Sequence, residues 1–318
     1  MKAVIVTENK DLVIREIPDP VRGEKEVLIA VEAAGVNRAD LLQRAGLYPS
    51  PAPWPDRMGL ECAGRILEAP AESRWKKGDR VCALLGGGGY SSKIAVPEDM
   101  ILPIPENLSM EEGACIPEVY ATAYLNLVCE GELKKGEKAF IQAGASSLGI
   151  ASIQLAKILG AEVLTSVGSK EKLEFVRTLG VLDAVNRKEE DPGRLFDQYE
   201  VDFVLDCVCG NVLGENIGKM AKGGRWIIVS TLGGETAQIP FRALLKKGIT
   251  LKGSTLRSKT NERKARILAQ LEKELYPSLL SGETRVVIHK VLPMEKAEEA
   301  HNILKNNTNC GKVILTWK

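Results

Sequence analysis

Apolar residues fall into two different rhythms along this chain. From residue 2 to about 110 they come in short runs, KAVIV, LVIREI, EVLIAVEAAGV and RVCALL, interrupted repeatedly by Pro and Gly. That texture predicts a compact β-rich domain. After about residue 118, strand-like and helix-like runs alternate: KAFIQAG precedes a helix over 148–159, EVLTSVG a helix over 170–178, and VDFVLDC, RWIIVST and ITLKGST follow. Strands alternating with helices predict βαβ units on a parallel sheet. The last stretch is mixed, with a charged helix over about 260–273, a strand at RVVIHKV, a helix after Pro293 and a final strand KVILTW. Such a tail is able to complete the first domain. At 318 residues the chain exceeds what one core usually organises, so two domains are expected. The four glycines at 86–89 lead into neither a helix nor a lysine–hydroxyl pair, and read as a flexible turn between strands.

Charge and composition narrow the function classes. With 43 Lys+Arg against 42 Asp+Glu, the net charge of +1 creates no field that would recruit nucleic acid or an anionic membrane. A basic strip at 257–266, RSKTNERKAR, is explained as well by a solvated helix face. No apolar run has the length of a membrane span or the form of a signal peptide, so a cytosolic protein with a small-molecule partner is expected. The seven cysteines are scattered and the two histidines, His289 and His301, lie far from them in sequence. These spacings assemble no metal site, and most of the cysteines read as small buried apolar residues.

The chemistry begins where the strand KAFIQA runs into GASSLG at 144–149 and then into the apolar helix IASIQLAKILG. Strand, glycine turn and helix in that order form a cradle in which helix N-terminal amides hold a pyrophosphate. Gly144 supplies the tight turn and Gly149 the close helix–sheet packing, while Ser146 stands where G-x-G-x-x-G has its second glycine; Ser147 and Leu148 complete the turn. An ordinary tight βα turn is the plainer alternative. The next strand ends in TSVGSKEK, without the acidic residue that would bind the ribose of NAD. Gly168 and Ser169 leave room there, and Lys172 and Arg187 bring positive charge able to pair with a 2′-phosphate, although either could be a solvated surface cation. Together they favour NADPH.

Combined with NRADLLQRAGLY (37–48), GLECAG (59–64), the IPE and TAY segments within 116–124, LDCVCG (205–210) and NCGKVIL (309–315), these motifs resemble the medium-chain dehydrogenase/reductase superfamily over essentially the whole chain. The resemblance is to its zinc-free quinone oxidoreductase group, and within it to the tumour-suppressor-inducible branch, in which NRADL, the following Tyr and LRS (256–258) recur in order. It implies an α/β architecture: a GroES-like β-rich catalytic domain from residues 1–118 and 256–318, and a doubly wound Rossmann domain over 119–255, with the cofactor in the cleft between them. In zinc-dependent relatives one metal ligand is a Cys that would fall at Asn37 and another a His that would fall at Leu60; both are gone. Asn37 and Tyr48 become the candidate catalytic residues, Asn37 donating its amide to cofactor or substrate and Tyr48 stacking on or hydrogen-bonding the substrate. A packing role for Tyr48, and a capping role for Asp40, are the alternatives. The resemblance adds further cofactor contacts: Thr122, with Tyr120 nearby, then Leu232, Gly233, Leu256, Arg257, Asn309 and Lys312. A metal-free site suits acceptors whose reduced anion is delocalised, so an NADPH-dependent quinone reductase is expected, with enone or alkenal double-bond reduction as its rival. From another class, a non-catalytic NADPH-binding protein is the alternative. Relatives also imply a homodimer joined through Rossmann edge strands near 225–230 and 249–255.

Overall fold

The computed structural model describes residues 1–317 and divides into two compact units, one made of Met1–Ala121 with the chain from Arg257 onward, the other of Thr122–Leu256.

The first unit is built on strand Glu26–Val36. Its first half alternates, with Val27, Ile29 and Val31 buried, and its second half, Ala33 to Val36, is buried throughout. Alternation places one face on the core, and small residues then let neighbouring backbone approach from both sides. Strand Glu61–Glu68 pairs with it antiparallel, followed by Arg80–Leu84 and Ile101–Pro103, while Lys93–Pro97 pairs with its N-terminal half. The C-terminal tail joins on the other side: Lys312–Thr316 is antiparallel to Glu26–Val36 and carries Ile288–Pro293 parallel to it. Two chain ends thus share one seven-stranded sheet. The tail strand begins at Ile288, later than RVVIHKV suggested. The charged helix runs from Asn261 to Ser281, past the expected end and through Pro277. Leu271, Leu275 and Leu279, spaced four apart and all buried, carry it on, until Gly282 caps it in the left-handed conformation.

The glycine run 86–89 does connect two strands, but it is not a flexible turn. All four residues are buried, and a Cβ on Gly86 would stand 2.3 Å from the Trp54 ring. These glycines are there to admit the segment around Trp54.

The second unit is a six-stranded parallel sheet in the order Asp183–Asn186, Glu162–Val167, Lys138–Ile141, Phe203–Asp206, Arg225–Ile228, Thr250–Gly253. Starting in the middle and winding outward both ways is the doubly wound pattern. Helix Ser147–Ile158 is buried throughout its middle, from Gly149 to Ala156, as a stretch largely apolar on all sides must be. Phe196 stacks on Trp226 and meets Phe140 edge to face in the core, and the Trp226 indole N–H donates to Asp206 Oδ2 at 2.7 Å. That carboxylate also accepts from the N–H groups of Val208 and Cys209, so it fixes the loop leaving its own strand.

Candidate active site

Helix Arg38–Arg44 starts at Asn37, directly after the central strand of the first unit, and Glu61 opens the neighbouring strand. The two side chains meet because Gly35 lacks a Cβ: one there would lie 2.3 Å from Glu61 Oε1. Asn37 Nδ2 donates to Glu61 Oε1 at 2.9 Å and more weakly to the Gly35 carbonyl at 3.4 Å, while Asn37 Oδ1 accepts from Lys312 Nζ at 2.7 Å. Lys312 also ion-pairs with Glu61, and both are buried. The second Glu61 oxygen accepts the Glu118 N–H at 2.9 Å, at the start of helix Pro117–Tyr124. One carboxylate therefore holds an amide, an ammonium and a helix start, a fully satisfied buried ion pair. Asn37 was expected to donate its amide outward; in the structure both ends of that amide are committed inside this network. Among the described residues no three or more His, Cys, Asp or Glu side chains gather as metal ligands.

Asp40 lies beneath. It accepts from the Asn37 N–H (2.7 Å), the Tyr90 hydroxyl (3.0 Å) and the Gly59 N–H (3.3 Å), so it ties the Asn37 turn to the glycine before Leu60. Burial pushes its pKa up to about 6 against the pull of these donors. The Tyr90 hydroxyl also stands 3.4 Å from His301 Nε2, and burial holds that imidazole near a pKa of about 4, neutral at ordinary pH.

Tyr48 is placed by Arg257. The guanidinium lies 4.6 Å from the Tyr48 ring centroid and donates to the Tyr48 carbonyl (2.7 Å), the Gly86 carbonyl (2.7 Å), Gln43 Oε1 (2.9 Å) and Ser50 Oγ (3.1 Å). A planar five-donor group is suited to pinning several carbonyls at once, and its face supports an aromatic ring. Lys264, also buried, donates to the Arg257 carbonyl at 3.1 Å. Two members of the basic strip at 257–266 are thus interior residues. Three residues expected at the cofactor, Leu256, Arg257 and Lys312, are buried, and the two cations spend their donors on the first unit itself. Asn309 braces its own turn through the Gly311 carbonyl at 2.9 Å, and Tyr120 is a core residue.

In the second unit the glycine turn has the form of a cradle. A Cβ on Gly144 would stand 2.1 Å from Thr165 Oγ1, and one on Gly149 2.3 Å from the Ala143 carbonyl oxygen. Ser146, the departure from the glycine motif, is the N-cap of helix Ser147–Ile158: its hydroxyl accepts the Gly149 N–H at 3.0 Å. Ser146, Ser147 and Leu148 are partly exposed, so the helix N-terminus opens outward there. At the base of the turn the Gln142 amide nitrogen is buried without a hydrogen-bond partner among the described residues. One strand over, Ser169 caps the next helix by accepting the Lys172 N–H at 3.3 Å. The Arg187 guanidinium lies over Gly168, where a Cβ would meet Nη1 at 2.7 Å, and it makes no ion pair among the described residues. Gly168, Ser169 and Arg187 are therefore brought together at the ends of two neighbouring strands, with Lys172 in the first turn of the helix that Ser169 caps. Leu232 and Gly233 sit exposed on a loop held by the Gly233 N–H to the Val208 carbonyl at 2.7 Å, and the Thr122 carbonyl accepts Asn126 Nδ2 at 2.7 Å.

Comparison with known proteins agrees with both halves. Residues 23–106 match the alcohol dehydrogenase GroES-like domain and residues 147–273 the zinc-binding dehydrogenase domain. Quinone oxidoreductase of Sus scrofa is 32% identical over 308 residues, covering 94% of this chain and 92% of that protein. Quinone oxidoreductase-like protein 2 of Bos taurus is 30% identical over all of this chain and 93% of its own length. The quinone oxidoreductase of Thermus thermophilus, solved also as its NADPH complex, superposes with a TM-score of 0.84 at 32% identity over 100% of both chains. The CurK enoyl reductase has the same fold, with a TM-score of 0.86 at 24% identity. The chain therefore belongs to the medium-chain dehydrogenase/reductase superfamily of oxidoreductases, among the relatives of the quinone oxidoreductases.

Proposed function

We propose that this protein is an NADPH-dependent reductase of quinones that works without a metal ion. The observation that carries the reading is the Asn37–Glu61–Lys312 network: an amide stands where the zinc-dependent members of the superfamily put a Cys ligand, and Glu61 and Lys312 take up both of its ends. Without a Lewis acid, an acceptor must yield an anion that stabilises itself, as a quinone or conjugated enone does and a simple aldehyde does not. A bound nicotinamide supplies the hydride. The chain's part is to orient the acceptor with Tyr48, held by Arg257, and to keep the surrounding turn rigid through Asn37 and Asp40. The test is nicotinamide oxidation by chelator-treated protein with a naphthoquinone, an enone and an aldehyde. Turnover with the quinone supports the reading; turnover with the enone alone replaces it with double-bond reduction; NADPH binding without turnover replaces it with a binding protein.

The preference for NADPH rests on Arg187, a guanidinium with no ion pair among the described residues, over Gly168 at the strand end where an NAD enzyme carries an acid. Arg187→Ala is expected to weaken NADPH binding by about 10- to 100-fold and to leave NADH binding nearly unchanged, read by titration calorimetry. Equal loss for both dinucleotides would remove the argument.

A homodimer is part of the same reading. Thr250–Gly253 is the edge strand with all four residues exposed, and the preceding helix presents Phe241 and Leu245, 71% and 83% exposed. Arg225–Ile228, expected to share in the joint, is paired on both sides and has no free edge. An unpaired edge flanked by apolar side chains invites a second copy. Light scattering at micromolar concentration is expected to give twice the chain mass, falling to one chain mass for Leu251→Pro.

A further inference from the structure

One carboxyl near Tyr48 has no structural task. Glu118 follows Pro117 at the start of helix Pro117–Tyr124; its backbone N–H is taken by Glu61, but its own carboxyl makes no hydrogen bond or ion pair among the described residues. The residue is partly open to solvent rather than sealed in the core. Around it stand Glu61 from the neighbouring strand, Lys312 from the last strand, Lys264 from the long helix and Asp40 from the Asn37 helix, while its charge is felt by Tyr48 and Arg257. The two cations that favour its charged form are engaged elsewhere, Lys312 with Asn37 and Glu61, and Lys264 with the Arg257 carbonyl. A partly buried carboxyl that no donor claims among the described residues, beside the carboxyl of Glu61 that Lys312 ion-pairs, holds its proton.

We propose that Glu118 is the proton donor of the reaction, delivering its carboxyl proton to the reduced acceptor held at Tyr48. The inference rests on the reductase reading above. Hydride from the nicotinamide brings two electrons to the quinone and leaves an anionic oxygen; the Glu118 O–H bond breaks as an O–H bond forms on that oxygen, and the Glu118 carboxylate recovers a proton from solvent. Burial and Glu61 push the Glu118 pKa up to about 8, against Lys312 and Lys264, so the acid form prevails at neutral pH and its proton is still readily given up. The Tyr48 phenol is a poorer donor, since burial and the Glu118 charge drive its pKa upward from the ordinary phenol value.

The experiment compares the full-length wild type with Glu118→Gln. With NADPH and a naphthoquinone, the wild-type kcat is expected to fall on an alkaline limb with an apparent pKa of about 8. Glu118→Gln should lose that limb and about 100-fold in kcat at neutral pH, with KM for the quinone changed by no more than about two-fold. An independent readout uses the protein without cofactor: infrared difference spectra should show a protonated carboxyl band in wild type at neutral pH, titrating at about 8 and missing from the variant. Melting gives a third. Glu118 titrates higher folded than its ordinary 4.5, so its favourable contribution is complete below that value and lost as pH rises through about 8; the variant should gain in Tm over wild type between those limits. An unchanged kcat and alkaline limb in Glu118→Gln would overturn the assignment, as would a wild type with no protonated carboxyl band at neutral pH, a result that stands even if the variant does not fold. A wild type that binds NADPH but reduces no acceptor overturns the reductase reading instead.

Discussion

Lys312→Met is expected to lower the unfolding free energy by about 3–5 kcal/mol, the cost typical of removing one partner from a buried ion pair. Glu61 is wholly buried and Lys312 nearly so, at 0% and 2% side-chain exposure. Without the ammonium, the carboxylate keeps only the Asn37 amide and the Glu118 N–H, and Asn37 Oδ1 loses its donor. Methionine fills most of the lysine volume, so little of the loss is cavity. The second half of the prediction separates charge from packing: adding Glu61→Gln to Lys312→Met should recover at least half of the loss, because an uncharged amide in place of the carboxylate no longer needs a counter-ion. The pair touches, so strong non-additivity is required. The urea midpoint, compared at unchanged m, reads both effects. A loss under about 1 kcal/mol, or no recovery in the double variant, would mean that the pair does not hold Asn37 in place, and with it the argument for what replaces the metal ligand would go.

What could be read from the chain without its structure follows a physical division. Period and punctuation are local, so the β-rich first part, the βαβ alternation and the turn at Gly144 to Gly149 were all visible in the order of residues. The same holds for Arg187 and Gly168, which belong to successive strand ends and meet because parallel neighbours bring those ends together. The Asn37 network was not visible. Lys312 lies 275 positions from Asn37 in the chain, and only the antiparallel pairing of the last strand with Glu26–Val36 brings them side by side. Arg257 and Lys264 looked like members of a surface strip because burial of a cation leaves no trace in sequence; their partners are carbonyls, which every residue has. Glu118 is equally silent in the chain, one acid in the largely apolar IPEVYATAY. A lone charge in a run that must pack is the signal that would have found it. Where local propensity alone set the expectation, distant packing altered it: buried leucines carried a helix through Pro277, and Trp54 turned a glycine run into packed interior.

Gly149→Ala is expected to weaken NADPH binding by at least about 100-fold, although alanine in a helix is ordinarily worth roughly 1 kcal/mol over glycine. The sign reverses because of what the methyl would meet. Its Cβ would stand 2.3 Å from the Ala143 carbonyl oxygen and 2.7 Å from the Gly144 Cα, backbone atoms with no rotamer to escape into. Ala143 is itself held at a φ of 53°, in the left-handed region, and Gly144 cannot retreat toward the sheet because Thr165 is already in contact distance of any added atom there. The helix must therefore move away from the turn, which breaks the Ser146 cap on the Gly149 N–H and misdirects the first amides of the helix. Those amides are the groups we assign to the pyrophosphate, and a shift of about 1 Å is enough to lose most of a set of charge-assisted hydrogen bonds. Calorimetric titration with NADPH reads the affinity, and circular dichroism establishes that the variant is folded. A folded Gly149→Ala protein that binds NADPH as tightly as wild type would show that the dinucleotide lies elsewhere. Loss of NADH binding in parallel is equally required, since the pyrophosphate is common to both dinucleotides, whereas Arg187→Ala must discriminate between them. The two variants together thus distinguish the cradle from the phosphate-selecting end of the same site.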